Sequence, residues 1–244
     1  MKYKLGRKPV RHDDRTFAVR DYLPTLPDLP PSVNWGTKVI NFGMLGNDTV
    51  GDCTIAGAGH AEVTWTANAS VEFDPSTEQI IDDYSAITGY DPEDPSTDQG
   101  ANMLDVLKYW RQTGIVGQQI TAFMSVDWKN QQEVMASVFL FGCCYIGVNL
   151  PQSAEDAFNA GQPWTDVTDQ DILGGHCVLI VGYDPKGVWL VTWAKLVYAS
   201  WAWLDTYCEE AYCPYSRADW IESQGECPAG FDDDQLEADL ASLE

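Results

Sequence analysis

The amino-acid sequence predicts an α+β domain in two halves, a helical half around a helix that Cys53 begins and an antiparallel β half that carries His176, behind an extended N-terminal arm. Three observations predict it. Apolar and small residues recur at helical spacing through CTIAGAGHAEVTWTANA from Cys53 onward. The run GGHCVLIVGYDPKGVWLVTWA holds two β-branched and aromatic stretches around Asp184-Pro185-Lys186-Gly187, a turn signal that makes a hairpin with His176 at its entrance. Finally, YLPTLPDLPP carries Pro24, Pro27, Pro30 and Pro31, which favour a stiff polyproline-like strap over helix or central strand.

The remaining elements follow in order. Residues 1–31 form a basic arm and strap, 32–213 the main domain, and 214–244 an irregular acidic tail. Asp52 stands where an N-cap for the Cys53 helix is needed. In NMLDVLKYWRQTGI, residues Met103, Val106, Leu107, Trp110 and Ile115 predict a second helix closed by Gly114. Residues 130–141 are expected to be helical and to end at Gly142 before the β-rich CCYIGVNLP. Residues 200–212, SWAWLDTYCEEAY, are expected to form one aromatic-rich amphipathic helix, and FDDDQLEADLASLE one or two acidic helical turns or a solvated segment.

Composition excludes several function classes. No apolar run reaches the roughly 18 residues of a membrane span, and no apolar segment follows the basic start, so neither a span nor a secretory signal is expected. The expected location is cytoplasmic, or a virion if the chain is phage-encoded. A formal charge of -23 argues against nucleic acid as a partner of the body. Residues 1–21, however, hold seven of the 14 basic residues, and this arm is expected to contact another copy or another protein. Seven cysteines are an odd number for a disulfide framework, so reduced thiols are expected. Cys143 and Cys144 sit in an apolar run and fit a core, and Cys208 and Cys213 have no histidine nearby to complete a zinc site. No metal or cofactor is expected.

The chemistry-bearing residues are few. A thiol at the first turn of a helix, as Cys53 is placed, sits in the positive field of unpaired N–H groups, and an imidazole beside it completes a nucleophile and base. His12 lies in the arm. His60 shares the helix with Cys53 at a rise of about 10 Å, too far for a direct hydrogen bond. His176 follows Gly174-Gly175, which leave space around the ring, and enters a strand. Taken alone it fits a structural role as well as a catalytic one.

LPPSVNW, 18 residues from Trp35 to Cys53, the apolar helix, and much later GGHCVLIVGYD with VWLVTWA resemble, in this order, the papain-like cysteine peptidases over roughly residues 28–195. The segment LGNDTVGDCTIAG (45–57) is similar to an LGNDxxGDCxxAG motif of papain-like proteins from bacteriophages and bacteria. The resemblance implies Cys53 as nucleophile, His176 as base and Asn47 as a side-chain donor to the oxyanion beside the backbone N–H of Cys53. Val191 stands where the family has the Asn that orients its histidine, which leaves Thr192, or Asp184 from the turn, as candidate orienters. The implied function is a cysteine hydrolase acting on peptide or amide bonds. The alternatives are an inactive papain-like scaffold in a phage virion or other large assembly, and an acidic inhibitor-type domain.

Overall fold

The structure, a computed structural model, describes residues 3–71, 73–225 and 227–243. The arm runs over the body to a short helix α1 (Val19–Tyr22), and the strap leads to β1 (Val33–Asn34). The helical half follows as α2 (Cys53–Asn68), α3 (Thr77–Thr88) and α4 (Met103–Gln112), then β2 (Ala122–Ser125) and α5 (Gln131–Phe141). The β half holds β3 (Cys144–Pro151), α6 (Gln152–Asn159), β4 (Ile172–Asp184), β5 (Gly187–Thr192), β6 (Lys195–Ser200), α7 (Trp201–Tyr207) and β7 (Cys208–Tyr215). A π-turn at Arg217–Ile221, the short α8 (Glu222–Gln224) and α9 (Asp233–Ala241) complete the chain.

The sheet runs β2-β7-β3-β4-β5-β6 with β1 added to β4, and every pair is antiparallel. Helix α2 lies against it between sheet and helices, and all residues from Cys53 to Thr66 are buried. Gly57 permits this approach, since a Cβ there would stand 3.0 Å from the Tyr145 ring of β3. The hairpin expected at 184–187 pairs Asp184 with Gly187, and the turn is closed by the Asp184 carboxylate accepting from the Lys186 and Gly187 N–H groups.

Several expectations are corrected. Residues 200–212 are not one helix: α7 stops at Tyr207 and Cys208 opens β7, because CEEAYCPY alternates into the sheet between β2 and β3, where its backbone groups find partners. Asp52 does not cap α2 with its side chain. In the tail, the helical alternative holds as α9, tied down by Tyr22 Oη to Asp239 at 2.8 Å and Tyr215 Oη to Asp233 at 2.8 Å. Residues 3–8 of the arm lie in a cleft of their own body, where Arg7 is buried, and Arg11, His12, Asp14 and Arg15 remain exposed. No helix among the described residues is long and apolar enough to cross a membrane, and all seven cysteines are free thiols.

Candidate active site

Cys53 is the first residue of α2, so its thiol faces the helix N-terminus, where backbone N–H groups lack partners within the helix. The backbone N–H groups of Cys177, the β4 residue following His176, and of Gly6 on the arm pull its pKa down, and Gly6 packs against Gly51, two residues before Cys53. The thiol is 1% exposed, and burial pushes its pKa up to about 12 against the pull of those N–H groups and of Arg7. Asp52 beside it is fully buried, and burial raises its pKa well above that of a solvated carboxyl against the pull of the Asn47 amide.

His176 stands on β4 opposite Val148 of β3. Its Nε2 meets the Thr192 hydroxyl at 2.7 Å, while its buried Nδ1 has no hydrogen-bond partner. A hydroxyl both donates and accepts, so Thr192 fixes the ring's direction without selecting its tautomer, as an acceptor-only oxygen would. Trp193 stacks on the imidazole at 4.6 Å between centroids. That tryptophan belongs to a two-residue turn between β5 and β6 in which Trp193 and Ala194 have φ of 44° and 63°, left-handed backbone that costs non-glycine residues energy. Here strain is stored directly over the histidine. Burial lowers the His176 pKa to about 3, with the Arg7 and His60 charges adding to it. Thiol and imidazole are therefore both neutral in this closed form.

The arm closes the site. Tyr3 stacks on Trp193 at 4.7 Å. The Lys4 carbonyl accepts from Asn47 Nδ2 at 3.4 Å, an amide shared with the Val50 carbonyl at 3.3 Å. Gly6 O accepts from Ala101 N at 2.8 Å and Lys8 N donates to Ala101 O at 2.9 Å, a parallel pairing with the helical half. Arg7 N donates to Gly175 O at 3.1 Å in the β half. Glycines make this possible: a Cβ on Gly6 would lie 1.7 Å from Gly51 O, and one on Gly175 would lie 2.3 Å from Arg7 O. Gly175 thus leaves room for the arm, where the sequence suggests room for the imidazole.

Of the residues singled out from sequence, Asn47 bonds the arm at Lys4 O and His176 bonds Thr192, while no hydrogen bond joins His176 to the Cys53 sulfur among the described residues. Asp184 is spent in the β4–β5 turn and on Tyr198 Oη at 2.7 Å, eight residues or about 26 Å of strand from His176. His60 bonds Gly43 O at 3.0 Å and is a packed core histidine. Sequence reasoning missed Gly6, Arg7, Trp193 and the Glu209-Glu210 pair that holds Arg7. The only signal for them is a glycine inside a basic segment and two adjacent acids between apolar residues. Among the described residues no group of three or more His, Cys, Asp or Glu side chains is arranged to hold a metal ion.

No family model matches the sequence, and no curated protein does. Solved structures match over most of the chain. Xylellain, a cysteine protease from Xylella fastidiosa, superposes with a TM-score of 0.65 at 17% identity, covering 88% of this chain and 97% of that one. Digestive procathepsin L 3 of Tenebrio molitor larval midgut matches with a TM-score of 0.54 at 15% identity, covering 83% of this chain and 76% of that one. The ragweed cysteine protease Amb a 11 in its proform matches with a TM-score of 0.55 at 14% identity, covering 79% and 67%. At these identities the likeness establishes the fold, which is the papain-like α+β fold expected from the sequence.

Proposed function

We propose that the chain is a papain-like cysteine hydrolase of peptide or amide bonds, held latent by its own arm. The observation that carries this reading is the arm itself. The cleft holds extended peptide backbone, with the Lys4 carbonyl at the Asn47 amide, the Gly6 carbonyl on Ala101 N and Arg7 N on Gly175 O. In the reaction, Cys53 sulfur attacks the substrate carbonyl carbon while His176 Nδ1 takes the thiol proton. The oxyanion so formed is met by Asn47 Nδ2 and the Cys53 N–H. Collapse breaks the C–N bond, the proton passes from His176 to the leaving amine, and water then hydrolyses the thioester with His176 as base.

Two of the matched structures are proforms, which fits latency in this chain. The test is labelling with iodoacetamide at pH 7 followed by peptide mapping, in the native chain and in Gly6→Ala. Selective labelling of Cys53 in Gly6→Ala over the other six thiols is expected. Equal or no labelling at Cys53 once the arm is displaced overturns the hydrolase reading and leaves a scaffold.

A further inference from the structure

One further thiol lies against the helix that Cys53 begins. Cys177 follows His176 on β4 and is buried, and its Sγ lies 3.3 Å from where a Cβ on Gly57 would stand. Gly57 is four residues after Cys53, so the two positions stack on one face of α2, one turn and about 6 Å apart. The sheet fixes the direction of the thiol. Cys177 pairs with Gly147 of β3 and Leu179 with Tyr145, and directly opposed residues of an antiparallel pair share a face. That face is the one α2 covers, because the Tyr145 ring lies 3.0 Å from the Gly57 Cβ position and its hydroxyl donates to Thr54 O at 2.6 Å. Tyr145 thus holds the first turn of α2 against the strand pair that carries Cys177. The electrostatics agree: burial raises the Cys177 pKa well above the ordinary thiol range and the Cys53 charge adds to it, while the Cys177 N–H pulls the Cys53 thiol down against burial. The remaining thiols stand elsewhere. Cys144 is three residues of β3, about 10 Å, from the glycine that faces Cys177, Cys213 pairs with Met124 of β2, and the Cys208 thiol donates to Glu210 O at 3.4 Å.

We propose that Cys177 is the resolving thiol of Cys53, and that peroxide closes a reversible Cys53–Cys177 disulfide which takes the nucleophile out of use. This inference rests on the hydrolase reading. In the first step the Cys53 thiolate attacks one oxygen of hydrogen peroxide, the O–O bond breaks, and hydroxide leaves Cys53 as a sulfenic acid. The Cys177 sulfur then attacks the Cys53 sulfur, the S–OH bond breaks, and the departing hydroxide takes the Cys177 proton as water. Two electrons pass from the sulfurs to the peroxide, and a dithiol returns them. Without a resolving partner the sulfenic acid goes on to sulfinic acid, which thiols do not reduce. The docked arm covers Cys53, so the bridge belongs to the open form, in which the nucleophile is exposed to oxidant.

The experiment uses the full chain carrying Gly6→Ala, with Arg7→Ala as the second background should the first not fold. The protein is treated with hydrogen peroxide at pH 7, blocked with N-ethylmaleimide, digested without reductant and mapped by mass spectrometry. A peptide pair joined through Cys53 and Cys177, lighter by two hydrogens than the reduced peptides together, is expected. Dithiothreitol should then restore at least about 80% of iodoacetamide labelling at Cys53. With Cys177→Ala added, or Cys177→Ser should the alanine variant not fold, less than about 20% should return and Cys53 should be found as sulfinic acid. Labelling of Cys53 before peroxide is the reference for each variant. If Cys53 is labelled selectively but peroxide gives sulfinic acid, or a bridge to another thiol, whether or not Cys177 is present, the resolving role falls and the hydrolase reading stands. If the Cys53–Cys177 bridge forms but reduced Cys53 is labelled no faster than the other thiols, the hydrolase reading falls and the regulatory role of the bridge falls with it.

Discussion

The arm holds two basic stretches that look alike in sequence and are held by different physics. Residues 3–8 run through the cleft on backbone hydrogen bonds, glycine contacts and the buried Arg7. Residues 11–15 lie on the surface, where Arg11 pairs with Asp105 and Asp13 with Arg15 and Lys108, their basic side chains 37% to 72% exposed. Exposed pairs of this kind are screened by salt and contribute little, whereas a buried arginine that loses its carboxylates, or carboxylates that lose their arginine, is left uncompensated. Closure of the site is thus assigned to about six residues, although the charge pattern spreads over twenty.

The largest effect should come from Gly6→Ala. Its Cβ has no room beside Gly51 and both backbones are fixed, so the stretch must leave the cleft. The labelling rate of Cys53 follows the fraction of molecules with the arm undocked, and a rise of about 1,000-fold or more is expected with the body still folded by circular dichroism. Arg7→Ala should rank second. Removing one partner of a buried pair costs about 3 kcal/mol, which corresponds to a rise of roughly 100-fold in labelling. Labelling of either variant no faster than native protein would mean that the cleft is closed by something other than residues 3–8.

The same division explains how much was legible in the sequence. Elements that satisfy local rules were readable: the helix from Cys53, the 184–187 hairpin, α4, and α5 with its Gly142 cap in left-handed backbone. What failed needed tertiary knowledge. Residues 208–212 carry a helix-like pattern, but two neighbouring strands claim their backbone. Asp52 has the identity of a cap, but its buried side chain makes no capping bond to α2. Trp193 reads as strand, yet it turns in left-handed backbone to cover His176. Cys53, His176, Asn47 and Thr192 are singled out by the resemblance that order and spacing carry, and the structure bonds His176 to Thr192. Arg7 could not, because a buried arginine and a solvated one are the same letter.

Acid should loosen the cleft-bound stretch by an intermediate amount. In the closed form the His176 pKa is lowered to about 3 by burial, below the ordinary value of about 6.5 to which water would return it on opening. The open form therefore binds one more proton than the closed form between those values. Opening is unaffected above about pH 6.5 and gains up to about ten-fold for each unit below it. The Cys53 thiol works at the other end: its closed-form value of about 12 lies above the ordinary thiol range of about 8.5, so alkaline pH favours the open form as the thiolate appears. Limited proteolysis of the native chain within residues 3–8, followed by mass spectrometry from pH 4 to 10, should show protection greatest between about 6.5 and 8.5. A flat profile would separate arm docking from the state of the buried pair.

The smallest effect is expected where the charge is densest to the eye. Arg11→Ala with Arg15→Ala removes the cations that face Asp105 and Asp13, yet neither touches the cleft stretch. Asp13 is held well below the usual carboxylate range by Arg15 and Lys108, but it stands in water, where counter-ions replace lost partners. The double variant should change Cys53 labelling by less than about 2-fold, and 1 M salt should leave the native rate similarly unaltered, because Arg7 and Glu210 are buried out of reach of the ionic atmosphere. Opening of about ten-fold or more from either treatment would mean that closure is distributed along the whole arm. The buried stretch would then be only the last part of a docking that the surface charges begin.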